Sequence, residues 1–165
     1  MTNETILSEL TSKFSDKIIA HREEYGTLIL DIDARSNVEI LNFLKTESSE
    51  TYTFLTTLAG IHYPDQVGKE LCVMYQLKNI MTQHCIRLKA FIPIDNPRIQ
   101  SVVSLFPTAN WMERQEFDFY GILFEGHPDL RRILNMDEMD YHPMRKEYKL
   151  EDGTRDDKED KFFGR

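Results

Sequence analysis

The chain has 165 residues, of which 41% are hydrophobic, and its formal net charge is −8. This length and hydrophobic content allow one compact domain with its own core. The acidic balance argues against nucleic acid as a partner, because phosphate contacts require a basic patch and no run of Lys or Arg occurs. No window approaches the roughly 20 apolar residues that span a bilayer. The N-terminus lacks the features of a signal or transit peptide, so we expect the protein to remain in the cytosol.

Apolar periodicity predicts most of the elements in chain order. Leu7, Leu10 and Phe14 recur at helical spacing and predict a helix over residues 4–14. A second helix is predicted from Ser36, because Ser36 and Glu39 have the spacing of a capping box. Alternating apolar residues predict strands around these helices. The predicted strands cover residues 17–23, 27–33, 52–63, 71–77 and 86–92.

Two further helices are predicted before the last quarter of the chain. Asn96 and Pro97 form a typical helix start, and the apolar residues between Ile99 and Phe106 follow at helical spacing. Pro107 is expected to end that helix. Asn110 is predicted to cap the next one, which Gly121 is well placed to end.

Periodicity fades after Gly121, and the last fifteen residues are charged with few apolar groups. We therefore predict a core domain over residues 1–121, followed by an irregular extended C-terminal arm with a charged tail over residues 122–165. The mixed order of helices and hairpins predicts an α+β fold. Its sheet is expected to be mixed but mostly antiparallel, with helices packed on one face.

The two cysteines, Cys72 and Cys85, have neither metal-binding nor disulfide-framework spacing. We interpret them as two buried thiols in neighbouring strands. The other face of the strand over residues 86–92 carries Arg87 and Lys89, and that face is expected to be solvated or docked against a partner.

Acidic and aromatic residues share the predicted helix from Trp111 to Tyr120. Arg114 and Asp118 are expected to pair at i, i+4, and Arg114 to stack on Trp111. The opposite side of the helix carries Glu113 and Glu116, which are buried if that side is buried. A buried carboxylate needs partners, and the predicted ones are the downstream arginines: Arg131, Arg132 and Arg145.

Two His-Pro pairs follow the helix, His127-Pro128 and His142-Pro143. With Asp129, the two histidines form a possible two-His-one-carboxylate metal set. The spacing gives this set little support, and histidine beside proline in a turn usually bonds backbone. The sequence also lacks a phosphate loop, a nucleophile elbow and a dinucleotide fingerprint. These observations favour a partner protein over an enzyme, with no catalytic, cofactor-binding or metal residues.

These residues resemble a known family, the thirty-kilodalton or C-type subunit of respiratory complex I. The family carries W-x-E-R-E-x-x-D-x-x-G, then G-H-P-D-L-R-R-I-L, then H-P-L-R-K-[DE]-[YF]. This chain matches with two small departures, Gln115 for Glu and Met144 for Leu. The matching residues are Trp111, Glu113, Arg114, Asp118 and Gly121, then Gly126 to Leu134, then His142, Pro143, Arg145, Lys146, Glu147 and Tyr148.

The resemblance implies a non-catalytic structural and assembly subunit in the hydrophilic arm of a proton-translocating NADH:quinone oxidoreductase. Such subunits hold no cofactor. NADH, FMN, iron–sulfur clusters and quinone are bound by partners, which include a quinone-site subunit of the D type and cluster-bearing subunits. The resemblance also implies a peripheral position on the cytoplasmic side of the bacterial inner membrane. Phe162 and Phe163 are candidate anchors for the tail on a partner.

Two alternatives remain open. Related subunits occur in membrane-bound hydrogenases and in ferredoxin- or F420-driven complexes, and the sequence does not separate them because the donor sites lie on other subunits. A more remote alternative is a stand-alone metal-dependent enzyme that uses His127, Asp129 and His142.

Overall fold

A computed structural model describes residues 3–148 of the chain. The predicted anchors Phe162 and Phe163 therefore lie outside the described residues. The elements follow in chain order, with one 3₁₀ turn (Ala34–Ser36) before α2. They are α1 (Asn3–Phe14), β1 (Ile18–Glu24), β2 (Thr27–Asp33), α2 (Asn37–Thr46), β3 (Phe54–His62), β4 (Leu71–Lys78), β5 (Cys85–Ile92), β6 (Arg98–Gln100), α3 (Ala109–Tyr120) and β7 (Leu123–Glu125).

Five strands form one mixed sheet in the order β1-β2-β5-β4-β3. The β2–β5 pair is parallel and the other three pairs are antiparallel. The predicted α+β class with a mostly antiparallel mixed sheet is confirmed. The parallel pair arises because α2 and the β3–β4 hairpin intervene between β2 and β5, so β5 returns beside β2 in the same direction.

The core lies on one face of this sheet. Leu30, Leu88 and Tyr75 are register neighbours across β2, β5 and β4, and all three are buried. The apolar stripes of α1 and α2 cover them, which removes this face from water. The helix residues in this core include Ile6, Leu10, Phe14, Ile40, Leu41 and Leu44.

The capping box predicted for α2 is wrong. The Ser36 side chain makes no cap hydrogen bond, because a 3₁₀ turn already precedes the helix. The Asp33 carboxylate instead accepts from the backbone N–H of Arg35 at 3.0 Å and begins that turn. Glu39 is free to pair with Lys17 at 2.5 Å.

The helix predicted between Pro97 and Phe106 is also wrong. Residues Arg98–Gln100 form β6, which pairs in parallel with β7 and places Ile99 opposite Phe124. The Leu123 N–H donates to the Pro97 carbonyl at 2.7 Å, next to this ladder. Helical spacing was present, but pairing with a distant strand satisfied the backbone and overrode the local preference.

Helix α3 closes the free edge of β3. The backbone N–H of Gly60 donates to Glu116 Oε2 at 2.7 Å, and that of Leu58 donates to Met112 Sδ at 3.3 Å. An edge strand with free N–H groups is a template for unwanted pairing, and these contacts occupy it. Asn110 does not cap α3 as predicted, because turns after Pro107 already bring the chain into the helix at Ala109.

The first residues of the C-terminal arm are packed. Ile122 and Phe124 belong to the core, so burial continues past Gly121 through β7. Cys72 is buried in β4, whereas Cys85 at the start of β5 is only half-buried, so the prediction of two buried thiols holds for Cys72 alone. Over residues 3–148, no helix is long and apolar enough to cross a membrane.

Candidate interaction site formed by α3 and the C-terminal arm

Asp118 is the centre of the contact between α3 and the arm. Its carboxylate has no exposed surface and accepts from three consecutive backbone N–H groups, those of Ile133, Leu134 and Asn135, at 2.9–3.2 Å. The Arg132 guanidinium adds an ion pair at 3.0 Å. One carboxylate therefore fixes a complete turn of the arm.

The protonation of Asp118 follows from these contacts. Burial by itself raises the pKa of the carboxyl, but the hydrogen bonds from the Asn135 and Leu134 backbones, the Asn135 side chain and the Ile133 backbone together lower it well below its ordinary value. The group is thus an anion at neutral pH, and its charge is held by donors on the arm.

The arm also satisfies the C-terminal carbonyls of α3. A helix leaves its last carbonyl groups without intrahelical partners. Here the Asp118 carbonyl accepts from His142 Nδ1 at 3.1 Å, and the Tyr120 carbonyl accepts from Arg145 Nε at 2.8 Å. The Met144 N–H reaches the Phe119 carbonyl between them at 3.2 Å. The H-P-M-R segment thus acts as a cap for α3.

Gly121 makes this cap possible. Its φ is 73°, in the left-handed region, and a Cβ at this position would collide with His142 Nε2 and lie 2.8 Å from Arg145 Nη2. Both the backbone conformation and the close approach of the arm require glycine.

Replacing Gly121 with alanine (Gly121→Ala) is expected to lower the free energy of unfolding by about 1–2 kcal/mol from the left-handed backbone alone. The added methyl group should also displace His142 and Arg145. Urea unfolding measures the first effect, and amide exchange at Met144 measures the second. Gly26→Ala, where φ is 76° but the space is open, controls for the backbone effect. Unchanged exchange at Met144 in Gly121→Ala would contradict the expected displacement.

Arg114 joins α3 to the arm differently from the prediction. Its guanidinium carbon lies 4.5 Å from the centre of the Trp111 ring, which confirms the predicted stacking. The predicted ion pair with Asp118 is wrong, because Asp118 is used by Arg132 and the arm backbone. Arg114 Nε instead donates to the Arg131 carbonyl at 3.3 Å.

Glu113 is fully buried and anchors α3 to the segment after β6. Its carboxylate accepts from Ser101 Oγ at 2.6 Å and from the Val102 N–H at 2.7 Å. Burial raises the pKa of the carboxyl to about 7, although both hydrogen bonds oppose the rise. The predicted arginine partner is wrong here, because neutral donors of the adjacent loop occupy the carboxylate.

Glu116 is buried in the same way against β3. Besides the Gly60 N–H, the Gln115 side chain donates to it at 3.2 Å. Burial raises its pKa to about 7, against the effect of these bonds. An arginine partner was predicted for this carboxylate too, and that prediction is wrong, because Arg145 caps the helix and Arg132 binds Asp118.

Arg131 lies on the surface, where it pairs with Asp129 at 2.9 Å and keeps 69% of its side chain exposed. We therefore expect Arg131→Ala to cost less than about 1 kcal/mol, because exposed ion pairs contribute little. Urea unfolding checks this value, with Arg132→Ala as the buried counterpart. A loss of several kcal/mol in Arg131→Ala would contradict this expectation and support the buried ion pair predicted from the sequence.

The two histidines bind at opposite ends of α3. His127 Nε2 lies 3.1 Å from the Asn110 carbonyl, and its Nδ1 accepts from the Asp129 N–H at 3.0 Å, in the turn that contains Pro128. Asn110 and Asp118 are separated by about 12 Å along the axis of α3, because an α-helix rises 1.5 Å per residue. His142 binds at the Asp118 end, so the possible metal set is not brought together. The part of the chain that the structure describes contains no group of three His, Cys, Asp or Glu side chains suited to a metal.

Sequence reasoning missed several residues of this site. Gly60 is one, because a Cβ there would lie 2.6 Å from Glu116 Oε2. Ser101, Asn135 and His62 are others, and His62 accepts from the Lys146 N–H at 2.9 Å. Of these residues, only Gly60 could have been found from the sequence, because a glycine within a strand often marks a place where another group closely approaches the backbone.

Comparison with known proteins identifies the family. The family model described as the 30 Kd subunit of respiratory-chain NADH dehydrogenase matches residues 30–154, which is most of the chain. The chain belongs to this family. The matched region includes all of α3 and the described arm, so the predicted resemblance to the thirty-kilodalton subunit is confirmed.

Relatives of known name agree. The C-type NADH-quinone oxidoreductase subunit of Mycolicibacterium gilvum is 37% identical over 82% of this chain and 58% of its own length. Its counterpart in Caulobacter vibrioides is 38% identical over 81% of this chain and 66% of its own length. The chain therefore spans somewhat more than half the length of these relatives.

Two solved structures share the fold. A trypsin-resistant fragment of Nqo5 superposes with a TM-score of 0.67 at 27% identity, over 79% of this chain and all of the fragment. A chain of the membrane-bound sulfane sulfur reductase, an archaeal respiratory membrane complex, superposes with a TM-score of 0.74 over 89% of this chain and 85% of that one. At 22% identity, the second similarity concerns the fold alone.

Proposed function

We propose that this chain is a non-catalytic structural and assembly subunit of the hydrophilic arm of a proton-translocating NADH:quinone oxidoreductase. One observation carries the proposal: the family signature residues are used to fasten the chain to itself. Asp118, His142 and Arg145 fix the arm on α3, and Glu113 and Glu116 fix α3 on the segment after β6 and on β3. Polar side chains bonded in this way stabilise a rigid shape that partners can bind.

The outer surface of the arm supports a role in assembly. Leu134 and Met136 keep 67% and 69% of their surface exposed, next to the turn that Asp118 fixes. Met144 and Tyr148 line an apolar depression of about 300 Å³ further along the arm. Exposed apolar side chains that are held rigidly are typical of subunit interfaces.

The partners in this proposal are a quinone-site subunit of the D type and cluster-bearing subunits. NADH, FMN, iron–sulfur clusters and quinone are bound by these partners. The chain is then held through them at the cytoplasmic side of the inner membrane. Affinity purification of the tagged chain from gently solubilised membranes tests this directly. We expect cluster-bearing and membrane-embedded subunits in the eluate.

The arm surface is tested by the double variant Leu134→Ser and Met136→Ser. We expect it to fold normally and to recover fewer partners, because only exposed apolar area is removed. The matched control is Ile80→Ser with Met81→Ser, which removes apolar groups that are 56% and 90% exposed on the turn between β4 and β5. Equal recovery of partners by both pairs would mean that the arm surface does not bind them.

Electron transfer is assigned to the partners, and the purified chain tests this assignment. We expect it to lack flavin absorbance and iron, and to transfer no electrons from NADH to a quinone. Turnover by the chain alone would overturn the non-catalytic role. The alternatives are a membrane-bound hydrogenase and a ferredoxin- or F420-driven complex, and the other subunits that co-purify with the chain distinguish them.

A further inference from the structure

The face of the sheet opposite α1 and α2 carries a groove. It has a volume of about 320 Å³ and lies between β1 and the turn that joins β3 to β4. Ile19 and Arg22 form one wall and Tyr63 the other. The floor is formed by Lys89 and Phe91 of β5 and by Asp31 of β2, the register partner of Lys89. We call this feature the sheet groove. Arg87, two residues before Lys89 on β5, lies on the same face of the sheet by strand alternation.

The central strand places two cations on this face that have no acidic partner among residues 3–148. Arg87 Nε donates to the neutral amide of Gln76 at 2.8 Å, and Lys89 Nζ contacts the Tyr63 hydroxyl at 3.3 Å. Neither forms an ion pair with any carboxylate of residues 3–148, whereas Arg22 pairs with Asp31 at 3.1 Å. Both cations are half-buried on the sheet surface.

This arrangement is unexpected for the composition of the chain. Asp and Glu number 28 and Lys and Arg number 20, so acidic partners are abundant. Unpaired cations that are partly removed from water gain most from a carboxylate supplied by another molecule. Around them, the Tyr63 and Phe91 rings lie 5.9 Å apart and Ile19 is 56% exposed, which adds apolar contact area.

We propose that an extended acidic segment of a neighbouring subunit docks in the sheet groove and pairs its carboxylates with Arg87 and Lys89. The proposal deepens the proposed function and rests on it. Arg87 and Lys89 are two residues apart on one strand, which separates them by about 7 Å. Carboxylates at alternate positions of an extended chain have the same spacing. A single phosphate would instead need donors that converge on one point.

Photo-crosslinking within the assembled complex tests the occupant. A photoreactive phenylalanine derivative replaces Ile19 at the rim of the groove, and in a control it replaces Tyr25, which is fully exposed on the β1–β2 turn. We expect the Ile19 probe to crosslink to a peptide of another subunit that contains Asp or Glu at alternate positions. A crosslink within the same chain, to a second copy, or to a peptide without such acids would overturn the proposal.

The charges are tested by the double variant Arg87→Gln and Lys89→Gln, in otherwise intact membranes. We expect the Ile19 crosslink to fall on the order of tenfold or more, with a weaker dependence on salt than in the unmodified protein. The matched control is Lys13→Gln, which removes a half-exposed cation from α1 on the opposite side of the sheet. An undiminished crosslink in the double variant would overturn the pairing.

The results separate this inference from the proposed function. If the chain co-purifies with its complex but the Ile19 probe finds no neighbouring subunit, the groove proposal fails and the proposed function stands. If no complex co-purifies, the proposed function fails as well. The wild-type crosslink depends on no charge substitution, so it decides the matter even where the double variant does not fold.

Discussion

Replacing Asp118 with asparagine (Asp118→Asn) is expected to lower the free energy of unfolding by about 3–5 kcal/mol, because it leaves the largely buried Arg132 guanidinium without its counter-ion. The Arg132 side chain is 14% exposed and Asp118 has no exposed surface, so little water reaches the guanidinium to replace the lost partner. The new amide group also brings N–H donors towards the N–H groups of residues 133–135. Urea unfolding measures the effect on stability.

Release of the arm should be visible in the same variant. Trypsin cleaves after arginine, and Arg132 is held against Asp118 and the Met139 carbonyl in the folded chain. We therefore expect faster cleavage at Arg132 in Asp118→Asn. Asp129→Asn is the matched control, because it breaks only an exposed pair. Equal cleavage in both variants would show that Asp118 does not hold the arm.

The pH dependence of the Asp118 contribution has a defined sign. Its folded pKa lies below the unfolded value of about 3.9. The stabilisation is therefore fully present above a pH of about 3.9 and is lost as the pH falls through the lower folded pKa. The difference in stability between the wild-type chain and Asp118→Asn should accordingly narrow below about pH 3.9.

The second large effect is a loss of stability with rising pH that Glu113 and Glu116 cause together. Both carboxyls have a folded pKa of about 7, raised by burial from an ordinary value of 4.5. A raised pKa means that their contribution is fully present below pH 4.5 and is lost as the pH rises through 7. At 1.36 kcal/mol per pKa unit, ionisation of each carboxyl lowers the free energy of unfolding by about 3 kcal/mol.

The variants Glu113→Gln and Glu116→Gln should each flatten this slope, because the amide keeps the shape and the accepting oxygen without the charge. The measurement is urea unfolding between about pH 4.5 and pH 8, read as the difference from the wild-type chain, so that other titrating groups cancel. His142, whose pKa is lowered by burial, is one such group. Glu125→Gln, at a half-exposed surface pair, is the control. Parallel curves for wild type and variants would contradict ionisation in the buried site.

The arm is an integral part of the folded subunit. The arm is joined to α3 by hydrogen bonds of its carbonyl, N–H and imidazole groups. The carboxylates of α3 in turn accept hydrogen bonds from β3 and from the segment after β6. Weakening Asp118 should therefore change the surface that Leu134 and Met136 present to partners. A loss of assembly in Asp118→Asn alongside normal assembly in Asp129→Asn would link the internal contact to the proposed function.

The sequence predicted what local patterns encode. The helix periods of α1 and α2, the alternation in β2, β4 and β5, and the end of α3 at Gly121 agree with the structure. The stacking of Trp111 on Arg114 was also predicted, because both residues lie on one helix at fixed spacing. The family was identified from residues that are close in sequence, Trp111 to Tyr148.

The tertiary structure decided which groups meet. Helical spacing at residues 97–106 yielded to pairing between β6 and β7, and the arginines expected at Glu113 and Glu116 were replaced by backbone and hydroxyl donors. A carboxylate on a helix requires a donor, but periodicity does not say whether it is an arginine or a free N–H of a distant strand. That choice depends on the three-dimensional fold, which brings Gly60 of β3 and Val102 of the segment after β6 to α3.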